Sequence, residues 1–141
     1  MSTKFDIALR NDISEVTRVL DALETFSKEN DIPSKKAFQL QLVLDELITN
    51  IISYGSAGRT NSDIRLSIEI EKGVLIGDLT DNGLPFNPLE SELPEFSADI
   101  QERQVGGVGL KLVRTYVDEL EYRHEGGFNR LRLKMRLDEN R

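Results

Sequence analysis

Apolar residues recur along this chain at two periods, and each switch from one to the other marks a boundary between elements. Residues 4–10 (KFDIALR) alternate and predict a first strand. Asp12 and Glu15 stand at capping-box spacing, and Ile13, Val16, Leu20 and Leu23 follow at helical spacing. They predict a helix over about 12–29 that stops before Pro33. Ser34 reads as the N-cap of a second helix that runs to about Tyr54, with Gly55 closing it. After the turn-rich SAGRTNS, Ile64, Leu66, Ile68 and Ile70 alternate with Arg65, Ser67, Glu69 and Glu71, as in a strand with one wet face. Lys72-Gly73 makes a turn, and VLIGDLT (74–80) returns as a more buried strand. Residues 81–107 lack a clear period and hold Pro85, Pro88 and Pro94. A third helix is predicted from about Val108 to Leu120, burying Leu112, Val113, Tyr116 and Val117. The segment EYRHEGGFNRLRLKMRL predicts a hairpin turning at Gly126-Gly127. Its second strand points Leu131, Leu133, Met135 and Leu137 inward, and Arg130, Arg132, Lys134 and Arg136 outward as a solvated face.

The order β-α-α-β-β-loop-α-β-β predicts the α+β class, a two-layer α/β sandwich. Its mixed, mostly antiparallel sheet would be covered on one face by three helices. The length suits one domain over 1–141, without internal repeat or linker. A long aperiodic loop inside a compact domain marks function or disorder. Its place between two glycine clusters suits a lid over about 87–105.

Composition narrows the chemistry. With 38% hydrophobic and 30% charged residues the chain is of soluble globular type. Cysteine is absent, which removes disulfides, thiolate metal sites and thiol nucleophiles, and a single histidine removes His-rich metal clusters. The net charge of −7 argues against direct nucleic-acid binding and against an anionic membrane surface. No apolar stretch approaches the ~20 residues that span a bilayer, and the opening MSTKFDIALRND has no apolar leader, so the cytoplasm is the expected location.

Three motifs carry candidate chemistry, each with an ordinary reading beside it. On the second helix, Leu40, Val43, Leu44, Leu47, Ile48, Ile51 and Ile52 cover roughly half the helical wheel. Glu46 and Asn50 lie one turn apart at the margin of that arc. A partly desolvated Glu46 is suited to accept a proton, and the Asn50 amide oxygen is a hard ligand for Mg²⁺; the ordinary reading is two solvated residues. Asp81-Asn82-Gly83 follows a strand directly, where Asp81 can accept from an exocyclic amine and Gly83 lets the backbone lie against a base; the ordinary reading is a turn. Gly106-Gly107-Val108-Gly109-Leu110 opens a helix and exposes amides to phosphate oxygens; the ordinary reading is a flexible loop before a helix start.

In order, Glu46-x-x-x-Asn50, Asp81-x-Gly83-x-Pro85-Phe86 and Gly107-Val108-Gly109-Leu110 resemble the N, G1 and G2 boxes of the GHKL ATPases, the superfamily of gyrase, MutL and the histidine kinases. Within it, LVLDELITNIISYG, DNGLPFNP and GGVGLKLV resemble the small stand-alone branch, the anti-sigma-factor serine/threonine protein kinases. The resemblance covers essentially the whole chain. It implies a Bergerat ATP-binding fold with ATP between the second helix, the lid and the third helix. It implies that Asn50 coordinates Mg²⁺, that Asp81 reads the adenine amine with Gly83 beside the base, and that Gly107, Val108 and Gly109, in the box closed by Leu110, offer amides to the phosphates. Glu46 would then be general base on a partner's seryl or threonyl hydroxyl. The implied partner is a STAS-type anti-sigma-factor antagonist, with a sigma factor as second partner and a homodimer as the assembly in many members.

Tyr54 stands where the branch often has His, and Asn129 where many members carry a Thr near the adenine, which leaves that contact open. Arg103 falls in the lid without a fixed role, and His124 reads as a hairpin surface residue. No His-bearing dimerisation helix precedes the domain, so a complete sensor histidine kinase is not expected. Two competitors remain: a non-catalytic, nucleotide-gated binding switch, and an interaction domain with degenerate boxes that binds no ATP. The presence of Glu46 favours the kinase.

Overall fold

A computed structural model describes residues 3–55, 63–83, 85, 87 and 111–138. Strand β1 (Lys4–Leu9) leads into helices α1 (Glu15–Glu29) and α2 (Ser34–Asn50), and α2 continues into a π-helical turn at Ile51–Gly55. Strands β2 (Ile64–Glu71) and β3 (Val74–Asp81) follow, then helix α3, described over 111–116, and the hairpin β4 (Glu119–Glu125) and β5 (Phe128–Arg136). The five strands form one sheet in the order β1-β2-β3-β5-β4. The mixed, mostly antiparallel sheet expected from the element order proves antiparallel in all its ladders.

Both tight hairpins turn on two residues with positive φ, Lys72-Gly73 at 52° and 78° and Gly126-Gly127 at 62° and 82°. Such turns match the twist of the flanking strands, and they set the register that gives each strand one apolar side. Ile64, Leu66 and Ile68, then Leu75 and Leu79, then Leu131, Leu133 and Met135 share the inner face and are buried. The helices cover this face with Val19, Leu23 and Phe26 of α1 and with Leu40, Val43, Leu44, Leu47 and Ile48 of α2, all in one cluster with the sheet. Phe5 of β1 meets Phe26 of α1 with ring centroids 5.4 Å apart.

The outer face is polar and largely ion-paired. Arg132 makes two hydrogen bonds to Asp78, at 2.9 and 3.1 Å, and Arg130 reaches the same carboxylate at 3.4 Å. Arg65 pairs with Asp6 at 3.1 Å, and Lys134 with Glu119 at 3.8 Å. The outward basic row thus lies among acids on a solvated face.

Five local expectations need correction. Helix α1 begins at Glu15, not 12, so Ile13 lies in the preceding turn and is 55% exposed. The capping box does not form either. The Asp12 carboxylate accepts from Ser14 N–H at 3.0 Å, while the Glu15 carboxylate turns to Arg10 N–H at 2.9 Å and to Arg18. Arg18 also donates to Ala8 O at 2.6 Å, which fastens the start of α1 to the end of β1. The Arg18 guanidinium and the Arg10 amide hold the Glu15 carboxyl at about 2.

At α2, Pro33 occupies the N-cap position and Ser34 is already helical. Helix α3 ends at 116 rather than 120. Asp118 N–H bonds to Lys134 O at 2.8 Å, and its carboxylate accepts from Arg136 N–H at 2.7 Å. These bonds draw the chain onto β5, and Glu119 and Leu120 join β4. Leu112, expected inside, is 37% exposed, whereas Val113 is fully buried.

Gly77 of β3 faces Leu133, whose Cγ would lie 3.3 Å from an added Cβ, so Leu133 packs over that glycine. Leu133→Ala should therefore open a cavity over Gly77. We expect a loss of about 3–5 kcal/mol in urea unfolding; a loss below about 1 kcal/mol would show that the sheet collapses over Gly77.

Candidate functional site

The polar residues of the inner face gather at one end of the sheet. Asp81 is the last residue of β3, opposite Asn129 of β5, and both are only 4% exposed. Asp81 Oδ1 accepts from Gly83 N–H at 2.9 Å and from Asn129 Nδ2 at 3.0 Å. Both bonds use Oδ1, so Oδ2 takes part in neither. Asn129 Oδ1 in turn accepts from the Tyr122 hydroxyl of β4. The next residue of the motif has a structural task. Asn82 Oδ1 accepts from Asp63 N–H at 2.7 Å, and Asn82 N–H bonds to Asp63 O at 3.3 Å, closing the β2–β3 end. Asp81-Asn82-Gly83 is thus a side-chain-stapled turn that also presents a carboxylate, so its two readings are compatible.

Helix α2 brings the other polar groups. Its apolar residues hold it on the sheet, and Asn50, on the same buried side, is only 2% exposed. Neither Asn50 Oδ1 nor Nδ2 has a hydrogen-bond partner among the described residues, and Glu46 Oε2 is likewise buried without one. Burial raises the Glu46 pKa above the usual 4.5, and Asp45 adds to this by repulsion. Asn50 pulls the other way, by proximity to the carboxylate, although its amide nitrogen stays unpartnered by strict geometry. The π-helical turn begins immediately after Asn50. Such turns are frequent at functional sites because they redirect the side chains around them.

These elements enclose a small cavity of about 20 Å³. It is lined by Leu47, Asn50 and Ile51, by Leu79 and Asp81, and by Tyr122, Asn129 and Leu131. That volume holds one water, so it is the polar floor of a site, not the whole of one. Larger clefts of up to about 390 Å³ lie on the outer sheet face, among ion-paired residues such as Asp78 and Arg132, and bring none of the expected site residues together. Asn50 and Asp81 share the inner cavity, with Glu46 one turn before Asn50 on α2 and Gly83 bonded to Asp81. Gly107, Val108, Gly109 and Leu110, and most of the expected lid, lie outside the described residues.

Tyr122 was not anticipated, and Asn129 was left open. The alternation of the hairpin puts residues 122, 129 and 131 on one inward face. Among the described residues, no helix is long and apolar enough to cross a membrane.

A histidine kinase-like ATPase domain model matches residues 9–135. The chain is 28% identical over 134 residues to the serine/threonine-protein kinase BtrW of Bordetella bronchiseptica, covering 94% of each. It is 27% identical over 93 residues to the serine-protein kinase RsbW of Listeria innocua, covering 62% of this chain and 59% of that one. Among solved structures, the RsbU and RsbW domains of a Mycobacterium tuberculosis protein align with a TM-score of 0.70 at 16% identity, over 96% of this chain and 33% of that one. The histidine kinase domain of an Erythrobacter litoralis blue-light kinase aligns with a TM-score of 0.55 at 18% identity, over 97% of this chain and 69% of that one. At these identities the two structures speak for the fold alone.

The burial of Glu46 makes a prediction independent of ligands. Because its folded pKa is raised, the folded chain favours the proton. The stability this group contributes is complete below the unfolded pKa of 4.5 and is lost as pH rises through the folded value. Glu46→Gln keeps the shape and removes the charge. Its thermal midpoint should match the parent near pH 4 and exceed it at pH 8. Equal midpoints at both would mean a solvated carboxylate.

Proposed function

Because the chain belongs to the histidine kinase-like ATPase domain family, we propose that it is an ATP-dependent serine/threonine protein kinase and anti-sigma regulatory factor acting in the cytoplasm. It would transfer the ATP γ-phosphate to a STAS-type antagonist, with a sigma factor as second partner and a homodimer as its assembly. The observation that carries this reading is the pair of unpartnered, buried polar groups one helical turn apart, Glu46 Oε2 and the Asn50 amide. A purely structural helix has no use for them, and an enzyme does.

Residues 1–141 would form one nucleotide-binding domain with a lid over about 87–105. Asp81 accepts from the adenine amine, with Gly83 beside the base. The amides of Gly107, Val108 and Gly109, in the box that Leu110 closes, meet the phosphates. Magnesium fits the donor set, since Asn50 Oδ1 is a buried hard oxygen without a partner. Among the described residues no three His, Cys, Asp or Glu side chains gather into a competing metal site. Asn50, phosphate oxygens and water would hold the ion. When bound, it neutralises phosphate charge as the phosphoryl group transfers. Glu46 takes the proton of the partner's hydroxyl while that oxygen bonds to the γ-phosphorus and the bond to ADP breaks.

The test mixes the protein with radiolabelled Mg-ATP and candidate STAS proteins. Label on a seryl or threonyl residue is expected, reduced about 10²–10⁴-fold in Glu46→Ala with ADP binding kept. Asn50→Ala should lose Mg-dependent nucleotide binding as well. The raised Glu46 pKa places the acid limb of the transfer rate above pH 4.5, the rate rising with pH as the carboxylate ionises. Binding without transfer would point instead to the nucleotide-gated switch, and absence of binding would contradict the reading altogether.

A further inference from the structure

Tyr122 belongs to none of the sequence motifs, yet its hydroxyl begins a directed chain of hydrogen bonds that ends on Asp81. The hydroxyl donates to Asn129 Oδ1, and Asn129 Nδ2 donates to Asp81 Oδ1 at 3.0 Å. All three residues line the same cavity, and Asn129 and Asp81 are each only 4% exposed. An amide has one accepting end and one donating end, whereas an ionised carboxylate only accepts. With its oxygen engaged by the Tyr122 hydroxyl, Asn129 can present only its NH₂ to Asp81. Turned over, it would set its oxygen against the carboxylate, two acceptors in contact at a buried site.

We infer that Tyr122 is a positioning residue for nucleotide selection, acting through Asn129 to fix the Asp81 carboxylate by its Oδ1, so that the site prefers a 6-amino purine over a 6-oxo purine. The inference rests on the nucleotide reading above and adds to it the origin of base preference. The Gly83 amide supports the same polarity, since it also donates to Oδ1 and leaves Oδ2 to face a ligand donor. A 6-amino group supplies that donor. A 6-oxo group sets an acceptor where the amine's donor stood, a mismatch that buried polar sites discriminate against. Stapling β4 to β5 does not require Tyr122, because the backbone ladder from Glu119↔Lys134 to Glu125↔Phe128 already joins them.

The test is calorimetric binding of Mg-ADP and Mg-IDP, which differ in the 6-amino and 6-oxo groups, to the parent and to Tyr122→Phe. The parent should prefer ADP. Tyr122→Phe keeps the ring and removes the donor that orients Asn129. It should lose roughly tenfold in ADP affinity while IDP affinity stays within about twofold, so that the ADP:IDP ratio falls. A loss shared equally by both nucleotides, or an unchanged ADP affinity, would overturn the inference and leave the nucleotide reading standing. A parent that binds neither nucleotide would overturn both.

Discussion

Asn50 ends a helix otherwise buried through leucine, isoleucine and valine, and its amide has no partner at either end among the described residues. Each such buried, unpaired group costs about 1–3 kcal/mol. A domain of this size has only about 5–15 kcal/mol of net stability, so the cost is a large fraction of the whole. The rest of the architecture is organised to bear it. Val43, Leu44, Leu47 and Ile48 hold α2 against the sheet, and this packing keeps the amide buried at the cavity it shares with Asp81. The same packing half-buries Glu46 and lifts its pKa. A desolvated base and an unsaturated amide are therefore two consequences of one apolar interface.

The two faces of the sheet divide the remaining work. The inner face supplies stability through close packing, extending to contact between Leu133 and the Gly77 backbone. The outer face carries the charge: Asp78 serves both Arg130 and Arg132, and exposed pairs such as Lys4 with Glu69 lie at its edge. Pairs of this kind add little to stability. They keep the open side wet, which leaves the inner end, where Asp81, Asn129 and Tyr122 meet, as the place where polar groups are ordered at the expense of solvation.

Elements with a pure period were legible in the sequence. The alternation of Ile64, Leu66 and Ile68 has no helical rival, and the arc of α2 has no strand-like one, so β2, β3, α2 and both hairpins were readable from residues alone. Ile13 and Leu112 were misplaced because each lies in phase with a helix while the chain around it obeys a different bond. Glu15 is drawn to Arg10 and Arg18, and among the described residues of α3 it is Val113 that is buried. The end of α3 was hidden because Tyr116, Val117, Leu120 and Tyr122 fit both periods, and the decision falls to Asp118 bonding across to β5. Of the candidate site, Glu46, Asn50 and Asp81 were legible as polar residues breaking apolar patterns. The Tyr122–Asn129–Asp81 chain was not, since it depends on a register between β3, β5 and β4 that pairs residues 48 positions apart.

If nucleotide binds at the polar end of the inner sheet face, against α2, an amide-resolved NMR titration with Mg-ADP will show it. Saturable shifts are expected at the backbone of Gly83 and Asp81 and at the side-chain NH₂ groups of Asn50 and Asn129, with Arg130, Arg132 and Lys134 on the outer face unmoved. Shifts centred on that outer face, or no saturable shift at Asn50 and Asn129, would contradict it.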